Sequence, residues 1–312
     1  MSAWKEFAEG KRKKRDVQEF GLHLMDNIFA LHNDLAAYRY NHGSYQMFRI
    51  ADPKPRVIHK ATVRDRVLHH AIYRILYPFF DRTFIPDSFS CRIGKGTHHA
   101  IERFRAFAYH ASSNHTRTLW VLHCDIRKCF ASIDQRMLIA TLHEYIADED
   151  VRWLLRQVIE SFSSGTPHVG LPLGNLTSQL FANIYLNTLD QFVKHRLKAK
   201  YYLRYSDDFI FCSADRDWLL GLISQLRNFL AERLHLELHP KKITLKSLAS
   251  GADILGWVHF TDHRVLRTAT KHRMFRRIQE HPTEGTLQSY RGLLSHGNAR
   301  HPAQFINSRG KG

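Results

Sequence analysis

The chain lacks any apolar stretch long enough to cross a membrane, and its first residues lack the apolar core of a secretion signal. We therefore expect a cytoplasmic protein with no membrane partner. Cysteine is scarce, and no C-x-x-C pair occurs among Cys91, Cys124, Cys129 and Cys212. These four are expected to be buried free thiols in a reducing compartment. The 22 histidines include neither an H-E-x-x-H motif nor another zinc-binding spacing.

Acidic residues are also few relative to basic ones. The chain has 29 Asp and Glu against 46 Lys and Arg, which gives a formal net charge of +17. A surplus of this size indicates a polyanionic partner, most simply nucleic acid, although a basic soluble protein without such a partner is the alternative. The 312 residues are enough for two or three subdomains with cores of their own.

Despite this shortage of acids, carboxylates follow or interrupt two strand-like segments. Tyr205-Ser206-Asp207-Asp208 separates two apolar runs, residues 201–203 and 209–211, as the turn of a β-hairpin would. A third carboxylate, Asp125, ends the strand-like run 119–124. A two-metal site needs carboxylates from separate strands that converge on ions roughly 4 Å apart. Because Asp-Asp is also common in ordinary turns, the pair alone would not predict such a site.

Periodicity predicts the elements around these carboxylates. Apolar spacing predicts one long helix from Phe20 and further helices over 62–80, 134–161 and 216–235. Alternation predicts a two-stranded ribbon over 48–58, strand-like structure over 236–245 and a short strand over 254–258. Residues 169–179 form a glycine-rich loop that leads into a helix. The Gly-Lys-Gly-Thr step at 94–97 is not a P-loop, because its lysine precedes the second glycine.

Four of these segments, in this order, resemble the motifs of reverse transcriptases over roughly residues 45–280. They are Arg56 with the segment 64–97, Asp125 with Phe130, the Tyr205–Asp208 box, and Leu255-Gly256-Trp257. The resemblance implies an α+β right-hand polymerase with fingers, a palm of antiparallel sheet backed by helices, and a helical thumb. The implied boundaries are a basic helical extension over 1–44, fingers over 45–118, a palm over 119–260 and a thumb over 261–312. The palm would include a fingers–palm segment over 135–180 and a primer-grip hairpin near 254–258.

The loop at 173–179 resembles one branch of that family. Many reverse transcriptases carry Gln-Gly-x-x-x-Ser-Pro there, whereas this chain has Leu-Gly-Asn-Leu-Thr-Ser-Gln, similar to the enzymes of diversity-generating retroelements. The segments 53–56, 91–97 and 287–297 agree with that branch. The resemblance implies an enzyme, encoded by a bacterium, an archaeon or a phage, that copies a template-repeat RNA into cDNA with errors opposite adenine. The cDNA then diversifies a target gene. A small, basic, ring-forming accessory variability protein is the implied partner.

The resemblance also implies roles for residues of the catalytic step. Asp125, Asp207 and Asp208, with the Ile126 carbonyl, would hold two Mg²⁺ ions, for which Mn²⁺ can substitute. The primer 3′-hydroxyl of a primer–template duplex would attack the α-phosphate of an incoming dNTP. Lys242 would give a proton to the departing pyrophosphate; the alternative is a solvated lysine.

Further roles concern the substrates. Arg56 and Lys54 would hold the triphosphate, and Phe130 would exclude a 2′-hydroxyl; a strand-end charge and a core aromatic are the alternatives. Leu173, Gly174 and Gln179 would border the nucleotide. Leu173 replaces a glutamine that touches the nascent pair, which we expect to loosen template reading unless Leu173 is simply a core residue. Leu255, Gly256 and Trp257 would grip the primer. A basic cluster would hold duplex phosphates, or would only be solvated: Arg273, Arg276 and Arg277.

Two other functions stay open at this stage. One is a defence-associated, CRISPR-associated or shortened group II intron-like reverse transcriptase; the intron type is disfavoured because no full nuclease or maturase domain fits after the thumb. The other is an RNA-binding protein that has kept the fold without catalysis. The intact set of Asp125, Asp207 and Asp208 argues against this last possibility.

Overall fold

The structure, a computed structural model, describes residues 1–51 and 55–298. It begins with three helices, α1 (Ser2–Ala8), α2 (Arg15–Leu22) and α3 (Leu24–Ala36). The single long helix predicted from Phe20 is therefore wrong, because the chain leaves helical geometry at His23, where φ is −117° and ψ is 39°. The break follows Gly21, a residue that weakens helices. Apolar periodicity continues across the break, which explains the error.

The region predicted as fingers begins with the expected ribbon. Strands β1 (Gln46–Ile50) and β2 (Arg56–Lys60) pair antiparallel, with Ile50 opposite Arg56. Helix α4 (Val63–Asp81) follows and confirms the helix predicted over 62–80; the Thr62 hydroxyl caps it by accepting a hydrogen bond from the Asp65 N–H. Helix α5 (Thr97–Ala111) completes the region.

A central antiparallel sheet contains the predicted hairpin. Its strands are β3 (Trp120–Asp125), β4 (Tyr202–Tyr205), β5 (Asp208–Ser213) and β6 (Thr244–Ser247), in the spatial order β4-β5-β3-β6. The strand predicted over 236–245 is largely wrong: β6 begins only at Thr244, and before it only Leu238 forms an isolated bridge, to Ile126. Pro240 lacks the N–H that a continuous ladder would need.

Helices cover one face of this sheet. They are α6 (Cys129–Ser132), α7 (Gln135–Tyr145), α8 (Glu149–Glu160), α9 (Leu176–Gln191), which continues as one turn of π-helix over Phe192–Arg196, and α10 (Arg216–Leu234). The last confirms the helix predicted over 216–235. The single helix predicted over 134–161 is instead two, because Asp134 and Asp148 each cap a separate start through their carboxylates.

Alternation along the strands divides the core in two. Leu122, Cys124 and Phe209 face the layer of α9 and α10, whereas Val121 and Ile210 face α5 on the other side. By the same period of two, Asp125 and Asp208 lie on the α5 side, at the open end of the sheet. The fold therefore turns these carboxylates away from the main helical layer.

The C-terminal part joins a small sheet to two helices. Strands β7 (Ala252–Ile254), β8 (Trp257–His259) and β9 (Arg264–Leu266) pair in order, and α11 (Thr268–Glu280) and α12 (Glu284–Leu294) follow. The predicted palm–thumb boundary at 260/261 lies in the turn between β8 and β9.

Two expectations drawn from what the sequence lacks, on cysteines and on membrane spans, can be compared with the structure. Cys124, Cys129 and Cys212 are buried free thiols as predicted, whereas Cys91 is exposed, in a turn with φ of 56°. Within the described ranges, no helix is both long and apolar enough to span a membrane.

Candidate active site

Strand register brings the three predicted carboxylates to one place. Asp125, the last residue of β3, lies directly opposite Asp208, the first residue of β5. Asp207 lies in the preceding hairpin turn, and its carbonyl accepts a hydrogen bond from the Ile126 N–H at 3.2 Å. The turn requires Ser206 to adopt φ of 57°, a left-handed conformation that residues other than glycine seldom occupy. The end of β3 and the start of β5, with the turn before it, thus bring three acidic residues and the Ile126 backbone close together.

The electrostatics of this cluster favour a bound cation. Burial raises the pKa of the Asp207 carboxyl, and the negative charges of Asp208 and Asp125 raise it further. Deprotonated carboxylates in such proximity repel one another, and a cation between them would relieve that repulsion. Carboxylate and carbonyl oxygens are the hard ligands that Mg²⁺ and Mn²⁺ prefer. The donor set therefore fits the predicted metal ions.

Two basic side chains contact these carboxylates directly. The Lys242 Nζ lies 2.8 Å from both carboxylate oxygens of Asp125. The His123 Nε2 lies 3.0 Å from Asp208 Oδ1. In the described part of the chain no three His, Cys, Asp or Glu side chains are already arranged around a common ion position. The Lys242 ammonium thus already contacts both Asp125 oxygens, the atoms through which Asp125 would bind a cation.

Asp125 and Asp208, but not Asp207, line a groove of about 400 Å³. The tip of the β7–β8 hairpin also lines this groove, and Leu255 (φ 51°) and Gly256 (φ 87°) make its turn. An ion pair between Arg267 and Asp253 holds this hairpin against the start of α11. Of the predicted primer-grip residues, Leu255 and Gly256 line the groove. Trp257 does not: its ring is buried, packed with α11 and α12.

The fingers ribbon meets the glycine-rich loop that precedes α9. The His59 N–H donates to the Leu173 carbonyl at 2.9 Å, and the Asn175 side chain donates to the His59 carbonyl at 3.0 Å. Gly174 has φ of 107°, and a Cβ there would come within 2.6 Å of the Ile58 side chain. Only glycine therefore allows the loop to lie this close to β2. Leu173 and Gly174 are thus placed beside the strand that begins with Arg56.

The remaining nucleotide-site predictions have mixed placements. Arg56 is exposed at the first position of β2, and Lys54 lies outside the described residues. Gln179 is half-buried in the first turn of α9. Phe130 is half-buried on α6 and packs against the main core, as its core-aromatic alternative predicts. Its carbonyl also accepts from the Leu171 N–H at 2.7 Å, so its backbone is joined to the glycine-rich loop.

The three basic residues predicted to hold a duplex lie on α11, away from the groove. Arg276 and Arg277 are exposed, and Arg273 is half-buried. Met274 and Ile278, on the opposite side of the helix, are buried against α12 and Trp257. The helix thus presents a basic face outward, and its three arginines are not among the residues that line the groove.

Sequence reasoning missed two groups at this site. His123 precedes Asp125 by two residues, so strand alternation alone places it on the same face, and that signal was available. Arg204, one residue before the Tyr205–Asp208 box, forms a fully buried ion pair with Asp190. A charged residue within a buried strand needs a partner, but nothing in the local pattern identifies that partner as residue 190.

Solved structures with the same fold include telomerases. Apo telomerase from Candida tropicalis aligns with a TM-score of 0.57 at 11% identity, over 81% of this chain and 55% of that one. Telomerase from Candida albicans, in complex with a fragment of telomeric RNA, aligns with a TM-score of 0.55 at 12% identity, over 77% and 51%. The right-hand polymerase fold predicted from the sequence is thereby confirmed.

Curated relatives match at the sequence level. Protein YkfC of Escherichia coli is 23% identical over 261 residues, which cover 71% of this chain and 66% of that protein. The group II intron-encoded protein LtrA of Lactococcus lactis is 24% identical over 287 residues, 70% and 46% of the two chains. This chain thus spans less than two thirds of the length of either relative. Residues 51–259 match the family described as reverse transcriptase (RNA-dependent DNA polymerase), and the chain belongs to that family.

Proposed function

We propose that the protein is an RNA-directed DNA polymerase that extends a primer on an RNA template. The observation that carries this proposal is the placement of Asp125 and Asp208 opposite each other on paired strands, with Asp207 next to them in the turn. Asp125 and Asp208 line a groove that Leu255 and Gly256 of the β7–β8 hairpin also line. A primer terminus in this groove would lie between the carboxylates and Leu255–Gly256. Family membership, the basic charge and the fold are all consistent with nucleic acid in this position.

Each residue near the carboxylates has a distinct task in this proposal. Asp125, Asp207, Asp208 and the Ile126 carbonyl would hold two Mg²⁺ ions. Bound there, the ions would activate the primer 3′-hydroxyl and stabilise charge on the departing pyrophosphate. Lys242 would release Asp125 and then donate a proton to the pyrophosphate, because its ammonium already lies beside the carboxylates.

The fingers would hold and select the nucleotide. Arg56 would bind the triphosphate of the dNTP through its forked guanidinium, with Lys54 as a point charge next to it. Phe130 would lie against the sugar and exclude a 2′-hydroxyl. The hydrogen bond from the His59 N–H to the Leu173 carbonyl supports this assignment, because it joins the backbone at Leu173 to the strand that begins with Arg56.

We further propose that the enzyme serves a diversity-generating retroelement. Its template would be a template-repeat RNA, its product adenine-mutagenised cDNA, and its partner a basic, ring-forming accessory variability protein, in the cytoplasm of a bacterium or archaeon. Support comes from the Leu173–Gln179 loop sequence and the agreeing segments at 53–56, 91–97 and 287–297.

Leu173 is the residue on which the mutagenic part of this proposal depends. An aliphatic side chain cannot make the polar contact that glutamine would make with the nascent pair, so template reading should be looser. Leu173→Gln is expected to lower the frequency of errors opposite adenine. Sequencing of the cDNA measures this, and an unchanged adenine error frequency would contradict the role given to Leu173.

A group II intron-like or defence-associated reverse transcriptase is the second candidate. It is favoured by the similarity to LtrA, a group II intron-encoded protein. The two candidates differ in fidelity, since only the retroelement enzyme should make errors concentrated opposite adenine.

One experiment separates these functions. The purified protein is incubated with candidate template RNA, Mg²⁺, dNTPs and the co-expressed basic protein encoded next to it, and the cDNA is sequenced, with Asp207→Asn as control. Errors opposite adenine that vanish with the control variant would support the retroelement enzyme. Faithful cDNA would favour the second candidate. If no cDNA forms, catalysis is contradicted and an RNA-binding protein is favoured.

A further inference from the structure

A buried ion pair lies directly beneath the turn that carries Asp207. Arg204, on β4, and Asp190, on α9, are both fully buried. The guanidinium Nε lies 2.9 and 3.0 Å from the two Asp190 carboxylate oxygens, and Nη2 lies 2.7 Å from Oδ2. The Tyr202 hydroxyl also donates to Asp190 Oδ1, at 2.7 Å. The three contacts between Arg204 and Asp190 fix the plane of the guanidinium.

The remaining guanidinium nitrogen reaches the catalytic turn. Arg204 Nη1 donates to the Ser206 carbonyl at 3.0 Å and to the Asn183 side-chain oxygen at 3.1 Å. Asn183, on α9, in turn donates to the Ser90 carbonyl at 2.9 Å. The turn is therefore held from the helical layer below it and not only by the strands on either side.

Together these contacts fix two consecutive carbonyls of the turn. Arg204 holds the Ser206 carbonyl, and the Ile126 N–H holds the Asp207 carbonyl. The peptide planes on both sides of Asp207 are therefore set, and with them the direction of its side chain. Ser206 needs this support, because its left-handed φ is unfavourable without it.

Stability alone does not account for a charged pair at this position. Desolvation of two buried charges often offsets their attraction, so apolar residues of similar volume can be as stable. An apolar side chain, however, cannot donate to the Ser206 carbonyl. We infer that Arg204, oriented by Asp190, is a positioning residue that sets the direction of the Asp207 carboxylate beside Asp125 and Asp208. This inference rests on the proposed polymerase function.

Arg204→Lys tests the inference, with Tyr202→Phe as the matched control. Lysine keeps the charge but has no fork that could reach Asp190 and Ser206 together. Because misplacement of a reacting group by about 1 Å can cost roughly 100-fold in rate, we expect kcat to fall about 10- to 100-fold. The Mg²⁺ concentration for half-maximal rate should rise, while KM for the dNTP stays the same. Tyr202→Phe removes one bond to Asp190, leaves the Ser206 contact, and should change neither quantity.

A second measurement does not depend on polymerase activity. Hydrogen exchange of the amides in the segment 205–208 should be faster in Arg204→Lys than in wild type, and unchanged in Tyr202→Phe. Faster exchange supports the positioning role even if the protein extends no primer, so failure of the proposed function would be recognised separately. The inference is overturned if Arg204→Lys lowers Tm but keeps wild-type exchange, kcat per folded molecule and Mg²⁺ dependence.

Asn183→Ala keeps the test decisive if Arg204→Lys does not fold. It removes the side-chain acceptor that positions Arg204 Nη1, the nitrogen that holds the Ser206 carbonyl, and it leaves the ion pair intact. Tyr202→Phe, in contrast, leaves both contacts of that nitrogen in place. The same three quantities should change in the same direction by a smaller factor. Wild-type values for all three in a folded Asn183→Ala protein would overturn the inference.

Discussion

The palm and the regions on either side of it present their charges in opposite ways. Asp125, Asp207 and Asp208 are held before any ligand binds, by strand register, by Ile126 and by the contacts of Lys242. In contrast, Arg56 and Arg276 are exposed at the start of a strand and on the outer face of a helix. The palm is therefore preorganised, whereas the fingers and thumb present charge to solvent.

This difference indicates a division of work. A two-metal reaction needs its ligands fixed to within a fraction of an ångström, so their backbone has to be supported from below. Contacts to phosphate tolerate more motion, because they act through charge on a long, repetitive polyanion. Substitutions in the palm should therefore change turnover, and substitutions in the fingers and thumb should change binding.

The largest effect is expected at Asp125. Asp125→Asn removes one charged ligand of the proposed metal site, and the loss of several kcal/mol of transition-state stabilisation should reduce kcat about 10³-fold or more. Primer extension in Mg²⁺ measures this. Binding of a primer–template duplex, followed by fluorescence anisotropy, should stay close to wild type. A fall in duplex affinity with kcat preserved would contradict the proposed division.

An intermediate effect is expected at Arg56. Arg56→Ala removes the forked contact proposed for the triphosphate. Since a hydrogen bond to a charged group contributes about 1.5–3 kcal/mol, kcat/KM for the dNTP should fall about 10- to 100-fold. The change should appear mainly in KM, as single-nucleotide incorporation kinetics would show. Arg56→Lys is the control that keeps the charge, and it should recover only part of the loss. An unchanged KM in Arg56→Ala would leave Arg56 as an ordinary strand-end charge.

A smaller effect is expected on α11. If Arg276 contacts one phosphate, Arg276→Gln should reduce the slope of log affinity against log salt for a duplex by about 1. Affinity should fall several-fold at low salt and hardly at all at high salt, with kcat unchanged. Anisotropy titrations across a salt series measure this. A slope equal to that of wild type would support a merely solvated helix.

The elements that carry the palm could be predicted from the sequence because their signals are local. The apolar runs on both sides of residues 205–208 predict a hairpin. Gly170 and Gly174 predict the loop that leads into α9. Helix breaks were missed at His23 and near Asp148, because apolar periodicity continues through them. Caps such as the Asp148 carboxylate would have revealed the second break.

The supporting contacts of the site could not be predicted in the same way. Arg204 and Asp190 are 14 residues apart and on different elements, and the pairing depends on how α9 packs under the sheet. The contact between Gly174 and Ile58 joins parts of the chain more than a hundred residues apart. Tertiary packing of this kind leaves no periodic trace in the sequence.

The smallest expected effect is a difference in stability between a substitution in the palm and one on the thumb helix α11. The pKa of Asp207 is raised in the folded protein, so the folded state binds this proton more tightly than the unfolded chain does. Stability contributed by this group is therefore lost as pH rises above the ordinary carboxyl value of 3.8, and stays lost at neutral pH. Asp207→Asn removes the ionisable group, and without divalent cations it should be more stable than wild type, by on the order of 1 kcal/mol.

Urea unfolding in a chelating buffer measures this difference. The advantage of Asp207→Asn should shrink as pH falls towards 3.8, where the wild-type carboxyl takes up its proton, and should also shrink when Mg²⁺ relieves the repulsion at neutral pH. Arg276→Gln is the matched control: an exposed residue on α11 should change stability by less than about 0.5 kcal/mol, without either dependence. Equal behaviour of the two variants would mean that repulsion among the palm carboxylates lowers stability no more than an exposed charge on α11 does. The palm and the thumb helix would then differ only in how far their charged side chains are exposed to solvent.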